Sequence, residues 1–181
     1  MNEAFEIRRM EGAEVRRRIE EFGGILVDCV EGGAGVSFML PFSQADASAF
    51  WLSVADDCDA GKRIVIAALM NSVAVGTVQL LPVQIPNQPH RAEVAKLLVH
   101  RRARGRGIAK ALMTRVEAEA KALKRSLLTF DTTTGDAAEQ LYLSLGYMRA
   151  GIIPHYAYMP DGRLIDTSVF YKLIGSESAS R

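Results

Sequence analysis

The sequence predicts an α/β fold with one mixed β-sheet flanked by helices. Short apolar runs, typical of buried strands, alternate along the chain with longer amphipathic stretches, typical of helices. In order, these elements read β-α-α-β-β-β-α-β-α-β-β. A strand, a glycine-rich loop and a helix near the middle of the chain form a crossover between two parallel strands. The 181 residues, 49% of them hydrophobic, fit one domain over residues 1–181, with a core at about 5–173 and a frayed tail at 176–181.

One strand and two helices are predicted before residue 61. The strand shows alternating apolar and polar residues, and the helices show apolar residues at helical spacing. Gly23 and Gly24 are expected to kink the first helix at its centre. Ser43 is the expected N-cap of the second helix, and Gly61 is its expected stop. The predicted bounds are residues 5–10 for the strand and residues 13–30 and 44–60 for the helices.

The rest of the chain is predicted to hold six strands and two helices. Two strands form a hairpin around Asn71 and Ser72, and the last two are joined by the turn Pro160-Asp161-Gly162. Asp136 is the expected N-cap of the last helix. The predicted bounds are residues 63–69, 74–81, 91–99, 126–131, 148–158 and 164–173 for the strands, and residues 107–123 and 136–145 for the helices.

Composition and charge argue against several classes of partner. The net charge is only +1, so the chain lacks the broad basic face that nucleic-acid binding favours. No apolar run reaches the roughly 20 residues needed to cross a membrane, and no signal-like segment begins the chain, so we expect a cytoplasmic protein without a membrane partner. Cys29 and Cys58 have no metal-ligand spacing and are expected to be small buried side chains, so no metal is expected.

The most informative segment is the arginine- and glycine-rich stretch at residues 101–110, which follows a predicted strand and opens a predicted helix. Backbone N–H groups at a helix start lack intrahelical partners and carry partial positive charge, so they form an anion site. Gly105 and Gly107 allow a phosphate to approach the backbone closely. The four arginines add donors suited to phosphate oxygens. The segment therefore predicts a polyphosphate-binding loop.

Two common phosphate loops do not fit this stretch. The P-loop needs a lysine followed by Ser or Thr after its last glycine, whereas an Ile-Ala pair stands there. The dinucleotide fingerprint needs a third glycine, and Lys110 takes its place. The remaining pattern, Arg102-x-x-Gly105-x-Gly107, resembles the coenzyme A pyrophosphate loop of the GNAT superfamily of N-acetyltransferases.

A second segment carries the same resemblance. Asp136-x-x-Glu139-x-x-Tyr142-x-x-Leu145-Gly146-Tyr147 resembles the family's Asn-x-x-Ala-x-x-x-Tyr…Leu-Gly-Phe/Tyr segment. The predicted element order is also that of the GNAT fold, so the resemblance covers about residues 5–173. One departure is Asp136, where many members have Asn. Because a carboxylate repels phosphates, its contact with the coenzyme stays open beside a role as N-cap.

The resemblance implies acetyl-CoA as the co-substrate. The pantetheine chain is expected to pair with the backbone of the strand before the loop, where the Leu98 amide would also face the thioester oxygen. The loop and the helix start are expected to wrap the pyrophosphate, while Arg102 and Arg106 either hold a phosphate or stay solvated. The residues expected to bind the coenzyme are Leu97, Leu98, Val99, Arg102, Arg104, Gly105, Arg106, Gly107, Ile108, Ala109 and Lys110.

A narrower resemblance is to the tabtoxin-resistance subfamily, whose members acetylate the amine of a β-lactam toxin. Four segments carry it, at residues 30–34, 91–97, 103–107 and 160–164. The Gly-Gly-Ala loop and the Pro-Asp-Gly-Arg-Leu turn are less generic than the segments near the glycine loop. This likeness favours an amino-acid-like acceptor but does not fix the substrate.

Acetyl transfer to an amine needs a base for the ammonium proton and an acid for the leaving thiolate. Glu93, on the strand where GNAT enzymes often carry a catalytic glutamate, is the first candidate base. Its alternative role is an ion pair with Arg91 or Lys96. Asp131 ends the neighbouring strand and either shares the role of base, binds the substrate ammonium or caps the following turn.

Tyr142 is the candidate acid, because the family match at this position is good and a phenol on the last turns of its helix can reach the coenzyme sulfur. The alternative is a core tyrosine, a role that Tyr147 fits better. Tyr156 and Tyr158 either line the acceptor site or are ordinary strand residues. Trp51 either flanks the acceptor pocket or packs in the core.

The resemblance implies an acetyl-CoA-dependent N-acetyltransferase that acts on a primary amine of a small molecule by direct attack in a ternary complex. The acceptor would be an amino-acid-like toxin, antibiotic or metabolite. Two alternatives stay open. One is acetylation of a protein N-terminus or lysine, which requires an open groove, and the other is a coenzyme A-binding regulator without turnover. Many family members are dimers, so the resemblance also suggests a homodimer.

Overall fold

A computed structural model describes residues 4–175, and the expected frayed tail at residues 176–181 lies outside this range. Over the described residues, seven strands form one mixed sheet in the order β1-β2-β3-β4-β5-β7-β6, which confirms the predicted fold class. The strands are β1 (Glu6–Met10), β2 (Ile64–Met70), β3 (Val73–Pro82), β4 (Arg91–Val99), β5 (Leu127–Thr133), β6 (Met148–Tyr158) and β7 (Leu164–Leu173). The helices are α1 (Gly12–Arg17), α2 (Ile19–Glu31), α3 (Gln44–Asp59), α4 (Ile108–Ala122) and α5 (Ala137–Ser144).

The predicted helix over residues 13–30 is two helices, α1 and α2, that meet at Arg18. The Arg18 guanidinium donates to the carbonyl oxygen of Ser72 at 2.8 Å, which fixes the chain at this break. The helix break lies at Arg18, and α2 continues as one helix through Gly23 and Gly24, where the sequence suggested a kink. Gly23 lies against α3, where an added Cβ would stand 2.4 Å from the Gln44 side chain. This glycine therefore permits close packing of two helices.

Helices cover both faces of the sheet, and each face buries its own apolar cluster. Helices α1, α2 and α3 pack on one face and α4 on the other. Strand β2 is buried along its whole length because its alternate residues contribute to both clusters. Trp51 is fully buried on the α3 side, with its ring centroid 4.7 Å from that of Phe22. It is thus a core residue. No helix among residues 4–175 is long and apolar enough to span a membrane.

Short-range signals in the sequence are confirmed at several helix ends and turns. The Ser43 hydroxyl accepts from the Asp46 N–H at 3.1 Å, and the Ser43 N–H donates to the Asp46 carboxylate at 3.0 Å. Gly61 follows α3 with a φ of +68°, the left-handed region that favours glycine. Asn71 and Ser72 have φ values of +48° and +65°, as a tight hairpin turn requires.

The feature that positions the site is the separation of two neighbouring parallel strands. Strand β4 pairs with β5 only over Arg91–Glu93, opposite residues 127–129, and the two strands then diverge. On its other side β4 stays paired with β3, but its register shifts at a β-bulge between Ala95 and Leu98. The second half of β4 therefore presents an open backbone edge towards the gap.

Candidate active site

The gap between β4 and β5 forms a cleft of about 850 Å³. Its walls come from the second half of β4, the start of α4, the end of β5, α5 and the segment after α2. The predicted site residues that line the cleft are Leu97, Leu98, Val99, Arg104, Gly105, Gly107, Ile108, Ala109, Lys110, Asp131 and Tyr142. Three further predicted residues, Glu93, Arg102 and Arg106, lie outside this lining.

The glycine loop has the backbone geometry of an anion site. Gly105 and Gly107 have φ values of +76° and +80°, a backbone conformation that residues other than glycine rarely adopt. Gly107 is the N-cap of α4, and the first intrahelical hydrogen bond runs from the Ala111 N–H to the Gly107 carbonyl oxygen at 3.1 Å. The three N–H groups before Ala111 precede that bond, so they are available to a ligand at the positive end of the helix dipole.

A buried carboxylate anchors the start of this loop. Asp28, near the end of α2 and 8% exposed, accepts from both the backbone N–H and the Nε–H of Arg101, each at 2.8 Å. Burial opposes ionisation of Asp28, but these two hydrogen bonds outweigh it and hold the carboxyl pKa below its usual value. The sequence analysis did not identify Asp28 as a site residue. The signal that could have identified it is an acidic residue among the apolar, buried positions of α2.

The open edge of β4 leads from the loop into the cleft. Leu98 and Val99 pair with β3 on one side only, opposite Thr77 and Gly76. The Val99 carbonyl oxygen accepts from the Arg104 Nε–H at 3.0 Å, so the loop folds back onto the end of the strand. This contact holds Arg104 beside the same edge that the GNAT resemblance implies for the pantetheine chain.

The two cysteines are free thiols, and neither is part of a metal cluster. Cys29 is buried at the cleft wall, where its Sγ lies 3.8 Å from the Val99 carbonyl oxygen, and burial raises its pKa. Cys58 is half-buried, and burial raises its pKa to about 11. Both thiols are therefore protonated at neutral pH. Among residues 4–175, no group of three or more His, Cys, Asp or Glu side chains is placed to hold a metal ion.

Tyr142 lies on the last turns of α5 at the wall of the cleft. It is 7% exposed, and its ring centroid lies 4.4 Å from that of Phe130. Burial raises the pKa of Tyr142 to about 12, and the nearby Asp136 carboxylate contributes to this rise. The phenol therefore keeps its proton through the neutral range. Tyr147 is buried in the core beneath it, as expected, and burial raises its pKa even more.

The two candidate bases have different surroundings. Asp131 lines the cleft, and its carboxylate accepts from the Thr167 hydroxyl on β7 at 3.1 Å. Glu93 is half-exposed on the stretch of β4 that pairs with β5, outside the cleft lining, and its carboxylate lies 2.8 Å from the Arg91 guanidinium. Arg91 also donates to the Thr129 hydroxyl at 3.0 Å. The ion pair that the sequence allowed as the alternative for Glu93 is present, and the catalytic roles of both carboxylates stay predictions.

Asp136 differs from the sequence expectation. It occupies the N-cap position of α5 with an extended backbone, but its side chain forms no capping hydrogen bond. The Glu139 carboxylate folds back instead and accepts from the Gly135 N–H at 3.1 Å. Asp136 is left exposed at the cleft wall, where its charge acts on Tyr142.

Two tyrosines considered for the acceptor site lie elsewhere. Tyr156 and Tyr158, on β6, are exposed and do not line the cleft. The cleft is lined instead by residues 32–37 after α2, by Lys96 and by Met159. An added Cβ at Gly35 would stand 2.8 Å from the Thr133 hydroxyl oxygen, so this segment crosses the cleft at close range.

Comparison with known proteins identifies related sequences and folds. The model of the acetyltransferase (GNAT) family matches residues 36–147, which is more than half of the chain. This region holds most of the cleft wall, from Val36 to Tyr142 on α5.

Solved structures with the same fold include three acetyltransferases. An N-acetyltransferase from Staphylococcus aureus is 18% identical, with a TM-score of 0.79 over 95% of this chain and 99% of that one. A phosphinothricin acetyltransferase from Sinorhizobium meliloti, solved with acetyl-CoA, is 20% identical, with a TM-score of 0.77 over 100% of this chain and 93% of that one. A ribosomal-protein-alanine N-acetyltransferase from Brucella melitensis is 22% identical, with a TM-score of 0.74 over 93% and 99%. At these identities the similarity establishes the shared fold.

Replacing Asp28 by Asn tests the anchor of the glycine loop. We expect Asp28→Asn to lower the free energy of unfolding by about 1–3 kcal/mol at pH 7, because the charge that accepts both Arg101 hydrogen bonds is lost. Folding lowers the pKa of Asp28. Its contribution to the free energy of unfolding is therefore complete above the unfolded-state pKa of about 3.9, and it is lost as the pH falls through the folded-state pKa. Urea unfolding at several pH values measures both effects.

The matched control is Glu31→Gln, on an exposed residue of the same helix, which should change stability little. Two results would contradict the anchoring role of Asp28. One is an equal free energy of unfolding for wild type and Asp28→Asn at pH 7, and the other is a difference that keeps its full size below pH 3.

Proposed function

The chain belongs to the acetyltransferase (GNAT) family, and from this premise we propose that it transfers the acetyl group of acetyl-CoA to a primary amine of a small molecule. The observation that carries the proposal is one cleft in which an anion-binding helix start, an open strand edge, a protonated phenol and a carboxylate meet. Acetyl-CoA supplies an activated acetyl thioester when bound. The amine would attack directly in a ternary complex. The Cys29 thiol at the cleft wall and the half-buried Cys58 thiol are both protonated, so they would be poor covalent nucleophiles.

The chain's own groups fit the coenzyme. The N–H groups of Ile108, Ala109 and Lys110, together with the Arg104 guanidinium, would hold the pyrophosphate. The positive φ values in the glycine loop support this assignment, because only glycine adopts them readily and the space beside Gly105 and Gly107 is open, so a phosphate can approach the backbone. The open edge from Leu97 to Val99 would pair with the pantetheine amides, while Arg102 and Arg106 are proposed to hold outer phosphate oxygens.

Proton transfer is assigned to groups at the far end of the cleft. An amine with a pKa near 10.4 needs roughly 4–5 kcal/mol to reach its neutral form at pH 7. Asp131 is the better-placed base, because it lines the cleft, while Glu93 would act through water around its ion pair with Arg91. Tyr142 would donate a proton to the leaving thiolate, and its raised pKa keeps that proton available.

We assign the acceptor to the side of the cleft lined by residues 32–37, Lys96 and Met159. A small acceptor is favoured over a protein chain because a hydrogen bond between two loops bridges this side. The Leu40 N–H donates to the Pro160 carbonyl oxygen at 3.1 Å, which ties the α2–α3 loop to the turn between β6 and β7. Gly35 and Met159 meet beneath this tie. The bridge leaves a pocket, whereas a protein N-terminus or a lysine-bearing segment would need an open groove.

An amino-acid-like toxin or antibiotic is the acceptor class we propose. The tabtoxin-resistance likeness supports it, as does the structural similarity to a phosphinothricin acetyltransferase. The ribosomal-protein-alanine acetyltransferase among the similar structures is the reason to keep protein acceptors in the same test. A coenzyme A-binding regulator is the less favoured alternative, since Asp131 and Tyr142 both face the cleft.

We also propose a cytoplasmic homodimer. Two free cysteines fit a reducing compartment. Strand β6 is the edge of the sheet and carries exposed apolar side chains at Ile152, Ile153, Tyr156 and Tyr158. An exposed edge strand with an apolar face favours association with a second copy.

Thiol release from acetyl-CoA in the presence of amino acids, aminoglycosides, polyamines and lysine peptides tests the proposed function. We expect saturable release with small amines and weaker release with peptides. Gly107→Val should weaken acetyl-CoA binding at least 10-fold, because a branched side chain cannot hold φ +80° without moving the loop. Calorimetric titration with acetyl-CoA measures the affinity.

Gly61→Val is the matched control for this variant. Gly61 also has a positive φ, +68°, and open space around it, but it lies after α3 and outside the cleft lining. The Gly61→Val variant should be less stable than wild type while keeping wild-type affinity for acetyl-CoA. Unchanged affinity in Gly107→Val would overturn the assignment of the loop.

Removing the phenol tests the acid. Tyr142→Phe should lower kcat by roughly 10²–10⁴-fold, the usual contribution of a positioned acid, and leave acetyl-CoA affinity unchanged. Because the pKa of Tyr142 is about 12, its ionisation should cause no loss of wild-type rate up to pH 10. Tyr171→Phe, on a partly exposed tyrosine of β7 that does not line the cleft, is the control. An unchanged kcat in Tyr142→Phe would remove the assignment.

Light scattering after size-exclusion chromatography tests the dimer. We expect a mass about twice the 19.8 kDa of the chain, and a monomer when Ile152 is replaced by Lys, because a charge on the apolar face of β6 opposes its burial. Val73→Lys, on an exposed apolar residue at the β2–β3 hairpin, should leave the mass unchanged. A wild-type monomer at micromolar concentration would refute the homodimer.

A further inference from the structure

Lys96 has an unusual backbone conformation at the β-bulge of β4. Its φ is +52°, a region that longer side chains rarely adopt and that costs of order 1–3 kcal/mol. Two residues of β4 stand opposite one residue of β3 here, between the pairs Gln79–Ala95 and Thr77–Leu98. Such a bulge redirects a side chain that regular alternation would place elsewhere. The chain therefore accepts strain to direct this particular lysine.

The redirected side chain reaches the acceptor side of the cleft. The Lys96 Nζ lies 3.1 Å from the Ser37 hydroxyl oxygen, and it stands over the rings of Phe38 and Phe50, at 5.5 and 5.9 Å from their centroids. Burial lowers the Lys96 pKa, and the charge of Arg63 lowers it further, while Asp131 opposes both effects. The ammonium is thus held over two aromatic rings in a partly buried position.

The ammonium group lacks an anionic partner of its own. Within residues 4–175, no carboxylate oxygen lies within 4.0 Å of the Lys96 Nζ. Arg63, on the same side of the sheet, is by contrast paired with Asp57 at 2.9 Å and with the Gln79 side chain at 2.6 Å. A partly buried cation without a counterion is costly. Its three donors also exceed the one acceptor that Ser37 provides.

Lys96 and Asp131 place opposite charges in one cleft without forming an ion pair with each other. Both line it, and their charges interact at longer range. An acceptor that carries one negative and one positive group would satisfy both side chains. A polyamine would leave Lys96 facing another cation, and an uncharged amine would leave it without a partner.

We propose that Lys96 binds a carboxylate of the acceptor while Asp131 engages the amine, so that the substrate class is an amino acid or a similar amine that bears an anionic group. This rests on the proposed function and deepens it. Lys96 is a specificity-determining residue in this assignment, and the acetyl-transfer step itself needs no contribution from it. Ser37 and the two phenylalanines position its ammonium group.

Matched acceptor pairs test the proposal. Thiol release from acetyl-CoA is measured with a panel of amino acids and with their methyl esters, which keep the amine and lose the negative charge. We expect wild-type kcat/KM to favour the free acids by roughly 10- to 100-fold, the range of a charge-assisted hydrogen bond. Esterification makes an amine less basic, and that effect alone would favour the esters, so the preference for acids cannot arise from it.

The Lys96→Met variant keeps the length of the side chain and removes the charge. It should lose the preference for acids while its kcat/KM for esters changes less than about threefold. Lys96→Arg should retain part of the preference, and Lys121→Met, on an exposed residue of α4, should keep all of it. Urea unfolding and acetyl-CoA titration of each variant separate a folding defect from a change in selectivity.

The outcomes distinguish this inference from the proposed function. Thiol release with equal kcat/KM for acids and esters in wild type would overturn the role of Lys96 and leave the acetyltransferase assignment standing. A preference for acids that survives in Lys96→Met would do the same. Tight acetyl-CoA binding without thiol release from any acid, ester or amine would count against the proposed function, and the inference would fall with it.

Discussion

The separation of β4 from β5 after three paired residues is the constraint on which the other features depend. A parallel strand pair that stayed closed would satisfy its backbone groups internally and leave no room between them. Because the strands diverge, one edge of β4 is left for a ligand, and α4 and α5 face each other across the gap. The β-bulge lies in the same half of β4, so the strand is irregular where it is open and regular where it is paired. The paired end of β4 thus has partners on both sides, whereas the open end leaves backbone groups available to a ligand.

Charge is distributed along the cleft in a consistent order. At one end, the glycine loop and the start of α4 offer backbone donors and arginines to phosphates, and Asp28 fixes the loop from behind. In the middle, aromatic packing around Tyr142 keeps a neutral phenol by desolvation. At the other end, Lys96 and Asp131 provide one charge of each sign. Under the proposed function, a long anionic coenzyme and a short acceptor with both charges would enter from opposite ends and meet near Tyr142.

The end of the cleft that we propose for the acceptor is assembled from parts of the chain that are remote in sequence. Residues 32–37 come after α2, Lys96 belongs to β4, and Met159 comes after β6. The hydrogen bond between Leu40 and Pro160 joins the first and last of these parts. Changes in residues 32–37 can therefore alter this part of the cleft without changing the glycine loop or the start of α4. The physical basis is that this segment contributes side chains to the pocket and no backbone pairing to the sheet.

The sequence by itself determined the features that depend on short-range order. Periodicity predicted the strands and the helices α3 to α5, and the glycine loop was readable because positive φ and free helix N–H groups are local properties. The Ser43 cap and the Asn71-Ser72 turn were readable for the same reason. Only the tertiary structure decided which charged residues face the cleft. Glu93 and Lys96 lie three positions apart on one strand, yet the paired end of β4 keeps Glu93 beside Arg91 while the bulge turns Lys96 inward. A bulge adds one residue to one strand and reverses the facing of the residues after it, and no periodicity in the sequence records where that occurs.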